Sequence, residues 1–191
     1  SISAGFQIYN KLKKLLESKN YPTTLGDEGG FAPPGLTNEG PLELLTNAVS
    51  QTDFNLGSDI KFALDVAASE FYENGTYHLK GEDRELTSSE FAEYLDGLAN
   101  DFPIISIEDG MDENDLEGWK LLTKQIGGKC QLVGDDLFVT NPEVLKKGIS
   151  DEIANSVLIK YNQIGTISET LETISIALNN DYQNIISHRS G

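Results

Sequence analysis

Short apolar runs that end abruptly in a polar or charged residue recur along the chain. At 104–107 the sequence Ile-Ile-Ser-Ile is followed directly by Glu108 and Asp109. Five other runs end in the same way, at Asp27 and Glu28, at Asp65, at Asp135 and Asp136, at Lys160, and at His188 and Arg189. Runs of this length are typical of strands that are buried on both faces. Because a carboxylate inside such a core would be costly, we expect the charged residues at the carboxyl ends of strands.

Segments with a helical spacing of apolar residues separate these runs. Helices are predicted for 2–18, 38–49, 115–125 and 166–179, and two more are predicted to begin at Thr87 and Asn141. Strands are predicted for 23–26, 60–65, 104–108, 131–135, 156–160 and 183–187, and Asn74-Gly75 predicts a small hairpin. Alternation of strand and helix is typical of βα units that build a parallel sheet.

Two α/β architectures fit this alternation, a doubly wound sheet and a (β/α)8 barrel. No Gly-x-Gly-x-x-Gly motif follows an early strand, which argues against a dinucleotide-binding sheet. Polar groups at the end of nearly every strand favour the barrel, since its active site draws on many strands. A complete barrel has eight strands, so the six that are predicted here indicate an incomplete TIM-type barrel.

Composition narrows the classes of partner. The chain has 191 residues, with 31 acidic against 14 basic side chains and a net charge of −17. This balance argues against nucleic acid as a partner and against binding to an anionic membrane through a basic patch. A surplus of acid is most often a solvated surface, and the alternative is that some of the acids converge on a cation.

The single cysteine, the lengths of the apolar runs and the chain termini give three further expectations. Cys130 stands alone, which excludes an internal disulfide framework, fits a reducing cytoplasm and predicts a structural thiol at the start of a strand. No apolar run reaches the length of a membrane span, and no signal-peptide pattern is visible. The chain starts at Ser1 without Met and stops at Gly191, so we expect it to be part of a longer protein.

If the strand ends share one mouth, Asp65, Glu108 and Asp135 come from three consecutive strands and converge. Three carboxylates repel one another unless a cation lies between them. Oxygen ligands with no His or Cys beside them favour Mg2+ or Mn2+ over Zn2+. The alternative is that each acid caps the loop or helix that follows it. Asp135 and Asp136 would point to opposite faces of the sheet if both lay on a strand, so only one of them is expected to be a ligand. The alternation of side chains along the strand does not show which one.

The remaining strand ends suggest acid–base chemistry on an anionic substrate. A desolvated pocket and a neighbouring cation both favour the neutral form of an amine, so Lys160 is a candidate base. Arg189 offers a bidentate fork for phosphate or carboxylate, and Ser190 offers a hydroxyl donor. With Glu28 as an acid for a leaving hydroxyl, the set predicts proton abstraction alpha to a carboxylate, followed by β-elimination of water.

Six segments, in order along nearly the whole chain, resemble the successive active-site segments of the enolases, the phosphopyruvate hydratases of glycolysis. They are Gly-Asp-Glu-Gly-Gly-Phe-Ala-Pro at 26–33, Ala-Leu-Asp-Val-Ala-Ala-Ser-Glu-Phe at 63–71, Ser-Ile-Glu-Asp at 106–109, Gly-Asp-Asp-Leu-Phe-Val-Thr-Asn at 134–141, Leu-Ile-Lys-Tyr-Asn-Gln-Ile-Gly-Thr at 158–166 and Ser-His-Arg-Ser-Gly at 187–191. Each segment alone is moderately specific, and six in order form a strong match.

The resemblance implies a barrel domain whose mouth interconverts 2-phosphoglycerate and phosphoenolpyruvate with Mg2+. It implies that Glu28 is the general acid, that Lys160 is the base and that His188 lies near the leaving hydroxyl. Asp65, Glu108 and Asp135 are then the Mg2+ ligands, which favours Asp135 over Asp136. Arg189 and Ser190 match phosphate-binding positions. A cytoplasmic homo-oligomer is also implied, with a cell-surface location as a secondary one.

The family also has parts with no counterpart in these residues. They are a small N-terminal domain with a mobile loop, an upstream glutamate that works with Glu28, and a lysine beyond the His-Arg-Ser segment. The chain is therefore predicted to be the central part of the barrel domain, with little activity alone. Two rival functions stay open: a dehydratase or racemase of the wider enolase superfamily, which shares the three carboxylates, and a binding or adhesion role.

Overall fold

The computed structural model describes residues 2–26 and 28–188, which form two compact units. The first unit comprises Ser1–Lys61 with Lys80–Arg84, and the second comprises Phe62–Leu79 with Glu85–Gly191. The helices, in chain order, are α1 (Ile2–Ser18), α2 (Glu39–Ser50), α3 (Ser88–Asp101), α4 (Leu116–Ile126), α5 (Pro142–Ser150), α6 (Tyr161–Ile164) and α7 (Ile167–Asn179). The strands are β1 (Phe62–Asp65), β2 (Tyr72–Glu73), β3 (Thr76–Leu79), β4 (Arg84–Leu86), β5 (Ile104–Glu108), β6 (Gln131–Gly134), β7 (Ser156–Ile159) and β8 (Gln183–Ile186).

In the first unit, α1 and α2 confirm the two helices that the apolar spacing predicts, and they pack together. The strand that was predicted at 23–26 is wrong. Leu25 forms only an isolated antiparallel bridge with Phe31, and the amide of Gly26 donates to the carbonyl of Gly30 at 2.9 Å. Leu25 is the only apolar side chain of that run and is 56% exposed, so the run has little apolar surface to bury in a sheet.

The second unit is built on a parallel sheet in the order β1-β5-β6-β7-β8. Its described residues therefore supply five of the six predicted strands, and the α/β fold of an incomplete barrel is confirmed. The register pairs Asp65 with Glu108 and Glu108 with Val133, which aligns the carboxyl ends of neighbouring strands. Because all five strands run the same way, the residues that follow each of them lie at one edge of the sheet.

The strands differ in how completely they are buried. All four residues of β7 are buried, as expected for a strand covered on both faces. β5 departs from that expectation, because Ile105 is 47% exposed although Ile107 is fully buried. The core also includes Trp119 and Leu122 of α4, both of which are fully buried. The helices predicted at 87, 115, 141 and 166 are confirmed as α3, α4, α5 and α7, and α6 was not predicted.

A small antiparallel sheet, β2-β3-β4, contains the predicted hairpin and anchors the loop that follows β5. Asn74 and Gly75 make its turn with φ values of 53° and 89°. The hydroxyl of Tyr77, a buried residue, accepts from the amide of Asp112 at 3.0 Å and donates to Asp115 at 2.8 Å. Burial raises the pKa of Tyr77, so it stays a donor at neutral pH.

Two further expectations concern membranes and the thiol. Among residues 2–26 and 28–188, no helix is both long and apolar enough to cross a membrane. Cys130 is buried just before β6, and burial raises its pKa to about 11. Burial of this thiol agrees with the structural role that was predicted, since the thiolate is the reactive form and the raised pKa disfavours it.

Candidate active site

Three predicted metal ligands lie at the carboxyl ends of neighbouring strands. Asp65 is the last residue of β1, Glu108 is the last residue of β5, and Asp135 directly follows β6. Their exposure differs: Asp65 is exposed, Glu108 is half-buried and Asp135 is buried. The carboxylate of Asp65 also accepts from the amide of Ala67 at 3.2 Å, an Asx-turn contact that fixes the start of the following loop.

The electrostatics of Glu108 show that these carboxylates act on one another. Burial is the largest cause that raises the pKa of Glu108 to about 7, and the negative charges of Asp65 and Asp135 add to it. The positive charge of Lys160 opposes the rise. Glu108 thus lies where a second negative charge is costly and where a cation would be stabilised.

Asp135 contacts two side chains that follow β7. Its Oδ2 forms an ion pair with the ammonium of Lys160, and its Oδ1 accepts from Gln163 Nε2 at 2.9 Å. Lys160 directly follows β7, and β7 pairs with β6, so the parallel register carries the two side chains to the same edge. The candidate base and one candidate metal ligand are therefore in direct contact.

Asp109 holds the segment that carries Asp135. Its Oδ1 accepts from the amide of Asp135 at 2.9 Å, and its Oδ2 accepts from the amide of Asp136 at 3.0 Å. The residue itself has a φ of 41°, a conformation that is uncommon outside glycine. Burial raises the pKa of Asp109 to about 6, although the two amide hydrogen bonds favour the charged form. Asp109 therefore joins the ends of β5 and β6 rather than offering a free oxygen.

Within the described part of the chain, one trio of acidic side chains brings ligand atoms within 4.8 Å of one another: Asp109, Asp135 and Asp136. This trio shares only Asp135 with the predicted metal set. The expectation that Asp135 and Asp136 point to opposite faces is wrong, because β6 ends at Gly134 and both acids lie in the turn beyond it. The amides of this turn both donate to Asp109, and one carboxylate oxygen of each of the three acids lies within 4.8 Å of the others.

The turn after β6 is packed tightly against Phe138. A Cβ on Gly134 would lie 2.5 Å from Phe138 Cδ2 and 2.8 Å from Cε2, so only glycine leaves room for the buried ring. Val139 and Thr140 then adopt φ values of 44° and 54°. Two consecutive non-glycine residues in this region persist only when the surrounding structure holds them, and such residues are frequent near functional sites.

Four other residues were predicted to belong to the site: Glu28, His188, Arg189 and Ser190. Glu28 lies in a turn of the first unit and is exposed. His188 follows β8 and is exposed, and its carbonyl accepts from Ser187 Oγ at 3.1 Å. Arg189 and Ser190 lie outside the described residues. The roles that were assigned to these four residues, like those of Lys160 and the three acids, stay predictions.

Sequence reasoning missed Thr140 and Gln163, both of which bond directly to the candidate machinery. The amide of Lys160 donates to Thr140 Oγ1 at 2.8 Å, and Thr140 Oγ1 lies 3.0 Å from Gln163 Oε1. The missed element was α6, whose first turn carries Gln163 back towards the strand end. The three-residue spacing of Lys160 and Gln163 could have indicated their proximity, since residues three apart lie on the same side of a helical turn.

The donor set fits a hard divalent cation. Asp65, Glu108 and Asp135 offer only oxygen, and Mg2+ prefers oxygen ligands held by a few carboxylates with water completing its coordination. The mutual repulsion at Glu108 is the second indication, because a cation would relieve it. Among the described residues, the trio whose ligand atoms lie within 4.8 Å of one another is a different one, so Asp65, Glu108 and Asp135 stay the predicted ligands of the ion.

The family model that matches the chain is described as the enolase C-terminal TIM barrel domain, and it matches residues 1–191. The parallel sheet, the helices between its strands and the charged residues at its carboxyl edge agree with that match. Enolase-superfamily enzymes act on small molecules and usually use Mg2+. The chain belongs to the enolase C-terminal TIM barrel domain family.

Proposed function

We propose that the protein to which this chain belongs is a Mg2+-dependent hydro-lyase that interconverts 2-phosphoglycerate and phosphoenolpyruvate. The observation that carries the proposal is the contact between Lys160 and Asp135 at the ends of neighbouring strands. The contact brings the candidate base to the strand ends that carry a candidate metal ligand, so one substrate could reach both the amine and the metal.

The repulsion at Glu108 and the family match support the same reading. Glu108 shares its surroundings with the charges of Asp65, Asp135 and Lys160, so one mouth contains both the acids and the amine. The segments at 26–33 and 187–191, which resemble those of enolases, favour a phosphorylated substrate over the substrates of other superfamily members.

The proposed elimination moves one proton to a base and one proton to a leaving group. Lys160 takes the proton alpha to the substrate carboxylate, and the electron pair of that C–H bond forms the new C=C bond. The C–O bond at the neighbouring carbon breaks, and the hydroxide leaves as water with a proton from Glu28. His188 lies near the leaving group, and Arg189 and Ser190 hold the phosphate. Mg2+, when bound by Asp65, Glu108 and Asp135, supplies positive charge beside the substrate carboxylate as its negative charge grows.

We also propose that these 191 residues are the central part of a larger barrel domain. Their described portion supplies five parallel strands in an open order from β1 to β8, whereas a (β/α)8 barrel needs eight. The chain alone is accordingly expected to turn over little substrate. Activity and metal binding are therefore both best measured on the intact protein.

The decisive test compares phosphorylated with non-phosphorylated hydroxy acids as substrates. Absorbance of the enol product is followed with 2-phosphoglycerate and, in parallel, with acid sugars and simple 2-hydroxy acids. The proposal expects Mg2+-dependent turnover of 2-phosphoglycerate alone. Turnover of a non-phosphorylated acid, with none of 2-phosphoglycerate, would instead establish the dehydratase or racemase alternative.

A further inference from the structure

Gln163 is the one side chain of α6 that bonds to the candidate active site at both ends of its amide. Nε2 donates to Asp135 Oδ1 at 2.9 Å, and Oε1 faces Thr140 Oγ1 at 3.0 Å. The carboxylate of Asp135 can only accept, so the amide must present its NH2 group to Asp135 and its oxygen to Thr140. Only one orientation of the Gln163 amide satisfies both partners.

These contacts close a ring of hydrogen bonds. From Gln163 the ring passes to Thr140 Oγ1, which accepts from the amide of Lys160 at 2.8 Å. It then runs along the side chain of Lys160, whose ammonium is paired with Asp135 Oδ2, and returns to Gln163 through Asp135 Oδ1. Thr140 is fully buried, and its carbonyl also accepts from Thr173 Oγ1 of α7 at 2.8 Å, so the ring is anchored to the core.

The ring divides the two oxygens of Asp135 between different partners. Oδ1 is held by a neutral amide, which leaves the carboxylate its full charge, and Oδ2 is paired with the ammonium of Lys160 and keeps a second lone pair for a metal cation. Asp109 holds the backbone of Asp135 from the other side. Partial rotation of the carboxylate would move Oδ1 out of line with the amide and break the bond to Gln163, so the amide fixes the plane of the carboxylate and the direction in which Oδ2 points.

We propose that Gln163 is a positioning residue that fixes the carboxylate of Asp135, so that Oδ2 is the oxygen available to a cation at the strand ends. The inference rests on the proposed function, since it assigns Asp135 to the metal site. Outer hydrogen-bond partners of metal ligands commonly change metal affinity by about 10- to 100-fold when they are removed. Gln163 would be such a partner although it touches neither metal nor substrate.

The test measures Mn2+ affinity directly, by titration and electron paramagnetic resonance of free Mn2+, on the intact protein that contains this chain. Gln163→Met keeps the length of the side chain and removes both hydrogen bonds. Gln125→Met is the matched control, since Gln125 is exposed on α4. Asp135→Asn reports whether the site depends on the proposed ligand, thermal melts check folding, and Gln163→Leu provides a second apolar replacement.

We expect Gln163→Met and Gln163→Leu to weaken Mn2+ binding by about 10-fold or more. Gln125→Met should stay within about twofold of the wild-type value, as expected of a surface change remote from the strand ends. In the intact protein, the Mg2+ activation constant should rise by the same factor as the Mn2+ dissociation constant, with the KM for substrate at saturating metal nearly unchanged.

Two outcomes would contradict the inference, and they distinguish a wrong positioning role from a wrong metal site. If Asp135→Asn abolishes Mn2+ binding while folded Gln163→Met and Gln163→Leu bind as tightly as the wild type, the positioning role is wrong and the proposed function stands. If the wild-type intact protein has no Mn2+ site that depends on Asp135, the metal site of the proposed function is wrong, and this inference is wrong with it.

Discussion

The ammonium of Lys160 and the carboxylate of Asp135 form an ion pair across the ends of two neighbouring strands. Neither side chain is freely exposed, with 19% and 11% of their side-chain surfaces accessible. A charge pair that is largely withdrawn from water persists when further hydrogen bonds support it, and Gln163 supplies one of them to Asp135. This pair is where the candidate acid–base and metal-binding functions meet.

Replacement of Lys160 by Met should abolish most turnover in the intact protein while metal binding remains. Loss of a general base typically reduces the rate by about 10²- to 10⁴-fold. Mn2+ binding should persist because the ligand oxygens of Asp135 are retained. Turnover of 2-phosphoglycerate and Mn2+ titration are the two measurements.

Lys129→Met is the matched control for that substitution. Lys129 lies just before β6, at the opposite end of the sheet, where its ammonium bonds to Asp96 at 2.6 Å and to Asn100 at 2.7 Å. Its loss should change turnover by less than about twofold. A Lys160→Met protein that keeps turnover within tenfold of the wild type would rule out Lys160 as the base.

Without divalent metal, Glu108 should make the chain less stable as the pH rises. Its pKa is raised to about 7 in the folded chain, from an ordinary value of 4.5, so the folded state holds the proton more tightly than the unfolded state. Its contribution to the free energy of unfolding is then fully present below pH 4.5 and is lost as the pH rises through 7. Since Glu108 is only half-buried, solvent screening leaves about 1–2 kcal/mol.

Urea unfolding in EDTA at pH 5 and pH 8 measures this contribution. Glu108→Gln cannot ionise, so the variant should gain stability relative to the wild type between the two pH values. Glu93→Gln, an exposed change on α3, should show no such gain. A difference between wild type and Glu108→Gln that is the same at both pH values would refute the electrostatic interpretation.

Asp109→Asn should destabilise the chain and disturb the turn that carries Asp135. An Asn side chain has one acceptor oxygen, so one of the amides of Asp135 and Asp136 would face an NH2 group instead. A buried amide left without a partner costs about 1–3 kcal/mol. Urea unfolding should show that loss, whereas Asp101→Asn, exposed at the end of α3, should lie within about 0.5 kcal/mol of the wild type. Equal stability of the two variants would mean that the double acceptor contributes nothing.

Gly134→Ala should cost stability because its new methyl group would meet the Phe138 ring at 2.5 Å. Overpacking of this kind costs about 1–3 kcal/mol. Since Gly134 precedes Asp135, the shift should also weaken Mn2+ binding. Gly128→Ala is the control, because a Cβ there meets nothing within 4 Å. Calorimetric melting temperatures compare the two variants, and a stable Gly134→Ala protein would show that the ring moves aside freely.

Much of the fold follows from local pattern. The alternation of apolar runs and helical segments predicted five of the parallel strands and the helices between them, because burial of apolar surface has a period that is visible over a few residues. The strand predicted at 23–26 was wrong because its single leucine offers too little apolar surface to hold a strand in a sheet. α6 was missed because a helix of four residues is too short to show a helical period in the sequence.

The candidate site, too, was predictable from the sequence only in part. By itself the sequence determined which chemical groups follow each strand, since strand ends and side-chain chemistry are local properties. Only the tertiary structure decided that Asp109 binds the amides of Asp135 and Asp136, that Lys160 pairs with Asp135 and that Gln163 holds the other oxygen. These contacts join residues 25 to 28 positions apart, and the register of neighbouring parallel strands, which no local pattern encodes, sets them.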